Sequence, residues 1–542
     1  MAMLAAFFAA VSPCAAQAQP ELDRSDPGVI TEEIGADDPA RPAPQAPELT
    51  TPEDDVTTPE STFVVGAVRV EGATILPLAA FAPAIEPYLG RSLGPQELRA
   101  LARAVAEVAR GAGYGLATAW IPRQSVQNGI LRVRIDEGRI DAIDARGPGG
   151  PTVARVLQPL ADGQPVRTAA LERRLLLAGG QPGVTVGRAR LVRQGGRNIL
   201  RIETRYDRVR VRATLDNWGT SAIGPLKARV VADLHGQIVR GDRLTLGGIV
   251  TPLQPREFQL LQAGYALPLG AATELSATGY LSRSNAGGAA RALELDGDAA
   301  EAQLSLSHIV LRSRTANLWV YLNLAHRESG LDRRGARIRN DTLTTASFST
   351  FGASRLGGGT LRVRLSLVQG LNLLDATIGG DPLASRRDGS GVFTKAAFWA
   401  DYTRVLGDGF SVQLSGQGQL ASRPLLASEE VGLGGRAFLR GYDYREFSGD
   451  EGAAGAIELR YDLPLTTSVI RRAQLYAYAD GGRVTNLRGG FGSGSLVSAG
   501  GGVRLSLPRR IDAGLELGVP LSDGFDGTRP DPRLSFTLAA RF

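Results

Sequence analysis

The chain has 542 residues, 43% of them apolar, with 68 glycines, one cysteine and a formal net charge of +6. That length accommodates several domains or one large barrel with additions, and a lone Cys14 excludes a disulfide framework. Lysine occurs only at Lys227 and Lys395, so the positive balance is carried by arginine, which fits the imprint of a GC-rich genome better than contact with anionic lipopolysaccharide or an acidic substrate; no nucleic-acid-binding motif accompanies it.

Residues 1–18 read as a secretory signal peptide, with a short apolar core from Leu4 to Val11 and a small-residue cleavage site at Ala16-Gln17-Ala18. No Lys or Arg precedes the core. The core is too short to span a bilayer, and no later run of about 18 apolar residues exists. An exported chain without such a helix is soluble or a membrane β-barrel, because backbone groups in lipid must bond internally. Residues 19–61 hold Pro20, Pro27, Pro39, Pro42, Pro44, Pro47, Pro52 and Pro59 among many acids, which predicts an extended linker.

Residues 62–137 and 138–206 each read as a small α+β domain. In the first, Phe63 to Val70 is strand-like and a helical patch follows near Pro77 to Tyr88. Gln96 to Arg110 is a helix, with Leu98, Leu101, Ala102, Val105, Val108 and Ala109 on one face. Strands at Thr118 to Ile121 and Gly129 to Ile135 close the unit. The second repeats the order: a strand at Ile140 to Ala145, helices at Thr152 to Leu160 and Ala169 to Ala178, and strands at Val184 to Val192 and Asn198 to Arg205.

From residue 207 to 542 the helical period disappears. Alternating runs such as Arg256 to Leu267, Ala302 to Val310 and Leu361 to Val368 are separated by Gly-, Asp- and Pro-rich turns. At roughly 21 residues per strand and turn this segment holds about 16 strands, within the range of membrane barrels. Arg362 and Arg364 would then line a water-filled lumen. Asp296-Gly-Asp298 lacks the further ligands of a calcium loop and reads as a turn. His235, His308 and His326 lie on predicted strands without catalytic or metal-ligand company, so no enzyme, cofactor or metal is expected.

The tract Gly434 to Tyr442 places an arginine among glycines and aromatics in a long loop over 423–452. With Ser428 to Leu433 before it, it resembles the signature of outer-membrane barrels with periplasmic POTRA domains, and within them the two-partner secretion transporters of haemolysins and haemagglutinins. The segments Tyr88-Leu-Gly-Arg91, Ala112-Gly-Tyr114, Leu131 to Gly138, Leu171 to Leu177 and Pro182-Gly-Val184 resemble the family's two POTRA domains. Leu475 to Gly482 resembles its acidic-Gly wall motif, with Tyr476, Tyr478 and Asp480 on one face and Leu475, Ala477 and Ala479 on the lipid face. The final strand, with Leu534, Phe536, Leu538 and Phe542 on one face, resembles the sorting signal read by the barrel assembly machinery.

The resemblance implies a mostly β fold: a 16-stranded barrel behind two POTRA domains, in the bacterial outer membrane with those domains in the periplasm. It implies a lumenal latch at Gly434, Gly435, Arg440, Gly441 and Tyr442, held by Asp480 and Gly482, with Arg440 offering a carboxylate a two-pronged hydrogen bond. It implies that an unfolded exoprotein, adhesin or cytolysin, docks on POTRA strand edges and leaves through the barrel. The other partners implied are the assembly machinery, outer-membrane lipid and lipopolysaccharide. A barrel-assembly insertase, which carries more POTRA domains, a diffusion porin, which carries none, and a barrel lipase remain as alternatives. Family members often carry a plug helix before the first POTRA domain. Here Pro20, Pro27, Gly28 and Gly35 interrupt residues 19–40, which argues against a plug and leaves open a short helix around Val29 to Ile34.

Overall fold

Alternation of apolar and polar residues over the last 330-odd positions resolves into sixteen antiparallel strands that close on themselves. The computed structural model describes residues 19–30, 49–50, 62–126, 128–220, 222–465, 467–488 and 492–542. The signal-peptide segment 1–18 and residues 31–34 of the open short helix lie outside the described residues. The chain divides into two compact units, one of residues 42–208 with 312–314, the other of the remaining residues.

The first unit holds the two α+β domains. Strands β2 (Phe63–Val65) and β3 (Ala67–Glu71) are separated at Gly66, where the single strand expected over 63–70 breaks. β2 pairs with β4 (Arg91–Leu93), and β3 runs parallel to β6 (Ile130–Asp136), which pairs with β5 (Thr118–Trp120). The helix Pro95–Gly111 buries Leu98, Leu101, Ala102, Val105, Ala106 and Ala109 against this sheet. Glu97 caps its start, accepting a hydrogen bond from the Gly94 N–H at 3.0 Å.

In the second domain β7 (Ala142–Arg146), β9 (Arg197–Tyr206) and β8 (Val184–Gln194) form a sheet packed by the helices Gly150–Leu157 and Thr168–Gly179. A fourth strand, β1 (Leu49–Thr50), adds to it from the expected linker, running parallel to Ala189 and Arg190 of β8.

The barrel starts with β10 (Val209–Asp216), β11 (Lys227–His235), β12 (Arg243–Val250), β13 (Phe258–Pro268) and β14 (Thr273–Asn285). It continues through β15 (Leu295–Arg312), β16 (Ala316–Arg333), β17 (Ala336–Leu356), β18 (Gly359–Leu371), β19 (Thr394–Gly407) and β20 (Phe410–Ala421). Two short strands, β21 (Val431–Leu433) and β22 (Phe447–Gly449), pair within the long loop. The wall resumes with β23 (Glu451–Asp462), β24 (Arg472–Thr485), β25 (Gly494–Leu507), β26 (Ile511–Pro520) and β27 (Arg533–Arg541), which pairs with β10 and closes the sheet. Closure leaves no open edge, as lipid requires. Asp296-Gly-Asp298, expected as a turn, lies inside β15.

One face of the wall is apolar. Leu475, Ile457, Leu459, Leu414, Leu365 and Leu367 are exposed, while their neighbours Tyr476, Glu458 and Tyr478 turn inward and are buried. At the C-terminus Leu534, Leu538 and Phe542 lie on the outward face, and the Phe542 N–H donates to the Val211 carbonyl at 2.9 Å.

Candidate functional site: a loop and a helix inside the barrel

The loop between β20 and β23, residues 422–450, folds inward rather than away from the wall. Its base is the β21–β22 pair and its tip is Gly434 to Tyr442. Gly434 has φ +104°, and a Cβ there would stand 2.0 Å from the Asp443 carbonyl oxygen, so only glycine fits the turn. Gly441 is required for a different reason: a Cβ would meet the backbone of Val519 and Pro520 at about 3 Å.

Arg440 is buried at the tip. Its Nε donates to Asp480 Oδ2 at 3.3 Å and its Nη1 to Glu458 Oε2 at 2.9 Å and Glu516 Oε2 at 3.3 Å. The same Asp480 oxygen accepts the backbone N–H groups of Leu439 and Arg440 at 2.9 and 3.3 Å. The other Asp480 oxygen accepts the Ser498 hydroxyl. The expected two-pronged bond to one carboxylate is therefore replaced by three partners on β23, β24 and β26. The tip arrives end-on between strands, which places three carboxylates around one guanidinium. Burial works against the Arg440 charge, yet Glu516 and Glu458 outweigh it and hold its pKa above the usual value.

Tyr442 fills the lumen beside it with no exposed surface, and its hydroxyl donates to the Ser522 carbonyl at 2.7 Å. Leu433, Phe438, Leu439 and Tyr442 pack on Ala454, Val484 and Leu496 of the wall. Gly482 stands in this contact; a Cβ there would lie 2.8 Å from Leu433 Cδ2. Gly435, with φ +100°, faces Tyr444 within the loop and does not touch Asp480. Phe536 and Leu538 lie on the last strand, away from the tip's hydrogen bonds.

Sequence reasoning did not find the fastening of the loop base. Arg386, between β18 and β19, donates from Nη1 to Asp450 Oδ2 at 2.8 Å, Glu430 Oε1 at 3.1 Å and Asn486 Oδ1 at 2.8 Å. Arg445 is buried and donates to the carbonyls of Ala427 and Glu430 at 2.7 and 3.0 Å. Burial pushes the Glu430 carboxyl up to about 7, although Arg445 and Arg386 pull the other way. Arg386 thus joins three consecutive loops, with no local motif to announce it.

The expectation against a plug is corrected. Gln19–Ser25 is a helix (α1), residues 27–30 continue helically, and residues 23–30 are buried in the barrel unit. Pro20 falls near the helix start, where its missing N–H costs nothing, and Pro27 follows the break at Asp26. Arg24 donates from Nη2 to Glu446 at 2.6 Å and from Nε to the Tyr444 carbonyl at 2.9 Å, tying the helix to the loop. Arg339 of β17 donates to Asp23 at 2.8 Å, and the Tyr444 hydroxyl donates to the Val29 carbonyl at 3.2 Å. Ile30 joins an apolar cluster with Ile223, Ile249, Phe258 and Leu260. Next to the tip, a cavity of about 430 Å³ remains between Arg436, Arg440, Tyr476, Arg504, Glu516 and Trp218.

A closed sixteen-stranded barrel with an apolar outer face, a lumenal loop clasped by wall carboxylates and α+β domains before it defines an outer-membrane transporter of the POTRA-barrel class. The family model described as haemolysin secretion/activation protein ShlB/FhaC/HecB matches residues 196–505, and that of the ShlB-type POTRA domain matches residues 63–138. The chain belongs to this haemolysin secretion/activation family. It is 26% identical over 496 residues to the hemolysin transporter protein ShlB of Serratia marcescens, covering 88% of this chain and 86% of the relative. It is 24% identical over 451 residues to the outer membrane transporter CdiB of Dickeya dadantii, covering 78% and 76%. The fold matches the solved CdiB of Escherichia coli over 100% of both chains, with TM-score 0.69 and 20% identity.

Proposed function

We propose that this protein captures an unfolded exoprotein in the periplasm through its two POTRA domains and passes it outward through the barrel lumen. The observation that supports the reading is the pairing of a family-typical transporter barrel with a lumen occupied by parts that are not wall strands, the α1 helix and the 422–450 loop. The first POTRA sheet leaves β3 and β5 as edges, and Val64, Leu78 and Ile130 present apolar side chains around it. Such edges and apolar side chains suit an extended client that bonds main chain to main chain.

The partners of the reading are a secreted adhesin or cytolysin, the barrel assembly machinery that would read the Phe542 terminus, and outer-membrane lipid with lipopolysaccharide. No enzymatic step is part of it; His308 and His326 are read as wall residues, their Nδ1 atoms bonded to the Thr273 and Thr344 hydroxyls at 2.8 and 2.9 Å.

Deletion of residues 62–206 should abolish export of the partner exoprotein while the barrel still inserts, read from the secreted fraction and from heat-modifiable migration. Undiminished export would sink the docking role. Arg440→Ala should lower export or raise pore conductance; wild-type values of both would make the loop arginine a passive lumenal residue.

A further inference from the structure

Arginines stand on both rims of the barrel. On the rim carrying the long loops some are ion-paired, Arg337 with Asp332 at 2.6 Å, Arg386 with Asp450 at 2.8 Å and Arg533 with Asp443 at 3.0 Å, and others such as Arg256 and Arg423 are exposed. The opposite rim is the one at which the chain enters β10 from the POTRA unit, so it is periplasmic. There Arg472 and Arg541 pair with Asp462 and Asp512, whereas Arg404, Arg471, Arg509 and Arg510 are exposed and make no ion pair with a described carboxylate. Asp408 is the one exposed acid in the hairpin turns 408–409, 463–471 and 508–510.

The same turns carry aliphatic side chains that a water-facing hairpin does not need. Leu406 is 56% and Val469 67% exposed. Above them runs an aromatic band: the tilted rings of Phe410 and Tyr461 meet at 4.6 Å between centroids, and the Tyr402 hydroxyl donates to the Leu356 and Gly357 carbonyls at 3.1 Å. Tyr402 and Arg404 share the outward face of β19 with Phe398, which is exposed. Aromatic rings at this level mark a membrane–water interface. Arg404 then lies two residues beyond it, at the depth of the phosphates, with its aliphatic stem along apolar surface.

Arg509 and Arg510 add a second kind of argument. Both have left-handed backbones, φ +60° and +59°, in a tight hairpin turn that asparagine and glycine serve best. Arginine takes left-handed positions elsewhere as well, at Arg334, Arg445 and Arg488, but among the described residues only here at two adjacent ones. Their charge is what the turn displays.

We propose that the periplasmic rim from β19 to β26 is a binding belt for anionic phospholipid of the inner leaflet, with phosphates held by Arg404, Arg471, Arg509 and Arg510 and the Leu406 and Val469 side chains dipping into the acyl region. The inference rests on the outer-membrane reading of the barrel and is independent of what the barrel transports. Guanidinium groups suit phosphate through paired N–H donors, and each basic residue near an anionic surface strengthens attachment.

The test uses the full-length protein in neutral detergent, with its melting followed by heat-modifiable migration as phosphatidylglycerol or phosphatidylcholine is added. Phosphatidylglycerol should raise the melting temperature and phosphatidylcholine should not. Substituting all four arginines by glutamine should raise the phosphatidylglycerol concentration needed by at least about tenfold. Arg355→Gln, on the lumenal face of β17, should leave it unchanged. If the fourfold variant fails to fold, the Arg509→Gln/Arg510→Gln pair and Arg404→Gln are measured separately, each with a smaller increase expected. Equal responses to both lipids, or an anionic response that survives in the folded variants, would overturn the proposal.

Discussion

The guanidinium carbon of Arg440 lies over the ring of Tyr478, 3.3 Å from its centroid, and the tyrosine's own hydroxyl has no hydrogen-bond partner among the described residues. The tyrosine serves the arginine by its face, not by its oxygen. Tyr478→Phe is therefore expected to change barrel stability by less than about 1 kcal/mol, since a ring of the same size still stacks. Tyr478→Ala and Arg440→Lys should both raise the open-channel fraction in planar bilayers. The lysine retains charge but lacks the planar fork that reaches Asp480, Glu458 and Glu516 together. A Phe variant that opens as often as the Ala variant would refute the stacking role.

Arg386 should matter as much as Arg440, at the other end of the loop. Its removal leaves Glu430 and Asp450 buried with less compensating charge, a loss on the order of 3–5 kcal/mol for a broken buried pair. Arg386→Ala is expected to expose residues 422–450 to added protease while the wall stays intact. Protection equal to wild type would show that the base is held by packing alone.

Seating of the α1 helix should depend on pH. Burial pushes the Asp26 carboxyl up to about 7, Arg339 pulls it down, and Asp341 and Asp23 push it further up. A carboxyl whose seated pKa exceeds its solvent value takes up a proton on seating. Seating is thus strongest below about pH 4 and weakens as pH rises to about 7, by up to tenfold per unit, with no further change above. Closed-channel lifetime should be longer at pH 5 than at pH 8, and Asp26→Asn should flatten the difference. A pH profile unaltered by Asp26→Asn would assign the dependence to another group.

Glu137 organises the first POTRA domain with the opposite sign. Its buried carboxylate accepts the Thr74, Ile75 and Leu76 N–H groups at 2.8 to 3.0 Å and the Thr74 hydroxyl at 2.6 Å. Burial opposes the charge and these bonds overcome it, holding the pKa below the ordinary 4.5. The stabilisation is present above the unfolded value and lost as pH falls through the depressed one. Glu137→Gln should cost about 2 kcal/mol at pH 7 and less at pH 3, and should speed amide exchange at residues 74–76. Unchanged exchange there would contradict it.

The barrel was legible in the sequence because alternation is imposed residue by residue by lipid on one side and water on the other. Arg440 and Asp480 were legible because each sits in a recognisable tract. Glu458 and Glu516 were not: each is one lumenal acid on an alternating strand, and nothing local says which acid a loop will reach. The α1 segment was misjudged for a related reason. It is held by Asp23, Arg24 and backbone carbonyls, with only Leu22 and Ile30 packed on apolar clusters, so helical periodicity had little to detect. Gly28, which looked like a helix breaker, is where the segment meets β16; a Cβ would stand 2.6 Å from Ser329 Cβ.

The partners outside the loop that fasten Leu439, Arg440, Gly441 and Tyr442 by hydrogen bond lie C-terminal to them: Glu458, Asp480, Val497, Ser498, Glu516, Ser522 and Arg533. During assembly the tip has nothing to clasp until the final hairpins are in place. The clasp therefore acts as a certificate of completion, formed only by a barrel whose last strands have joined the wall. A chain ending at residue 510 lacks Glu516, Ser522 and Arg533, and protease should cut its loop between residues 434 and 442 while sparing the loop in the full chain; equal cutting would refute the order of events.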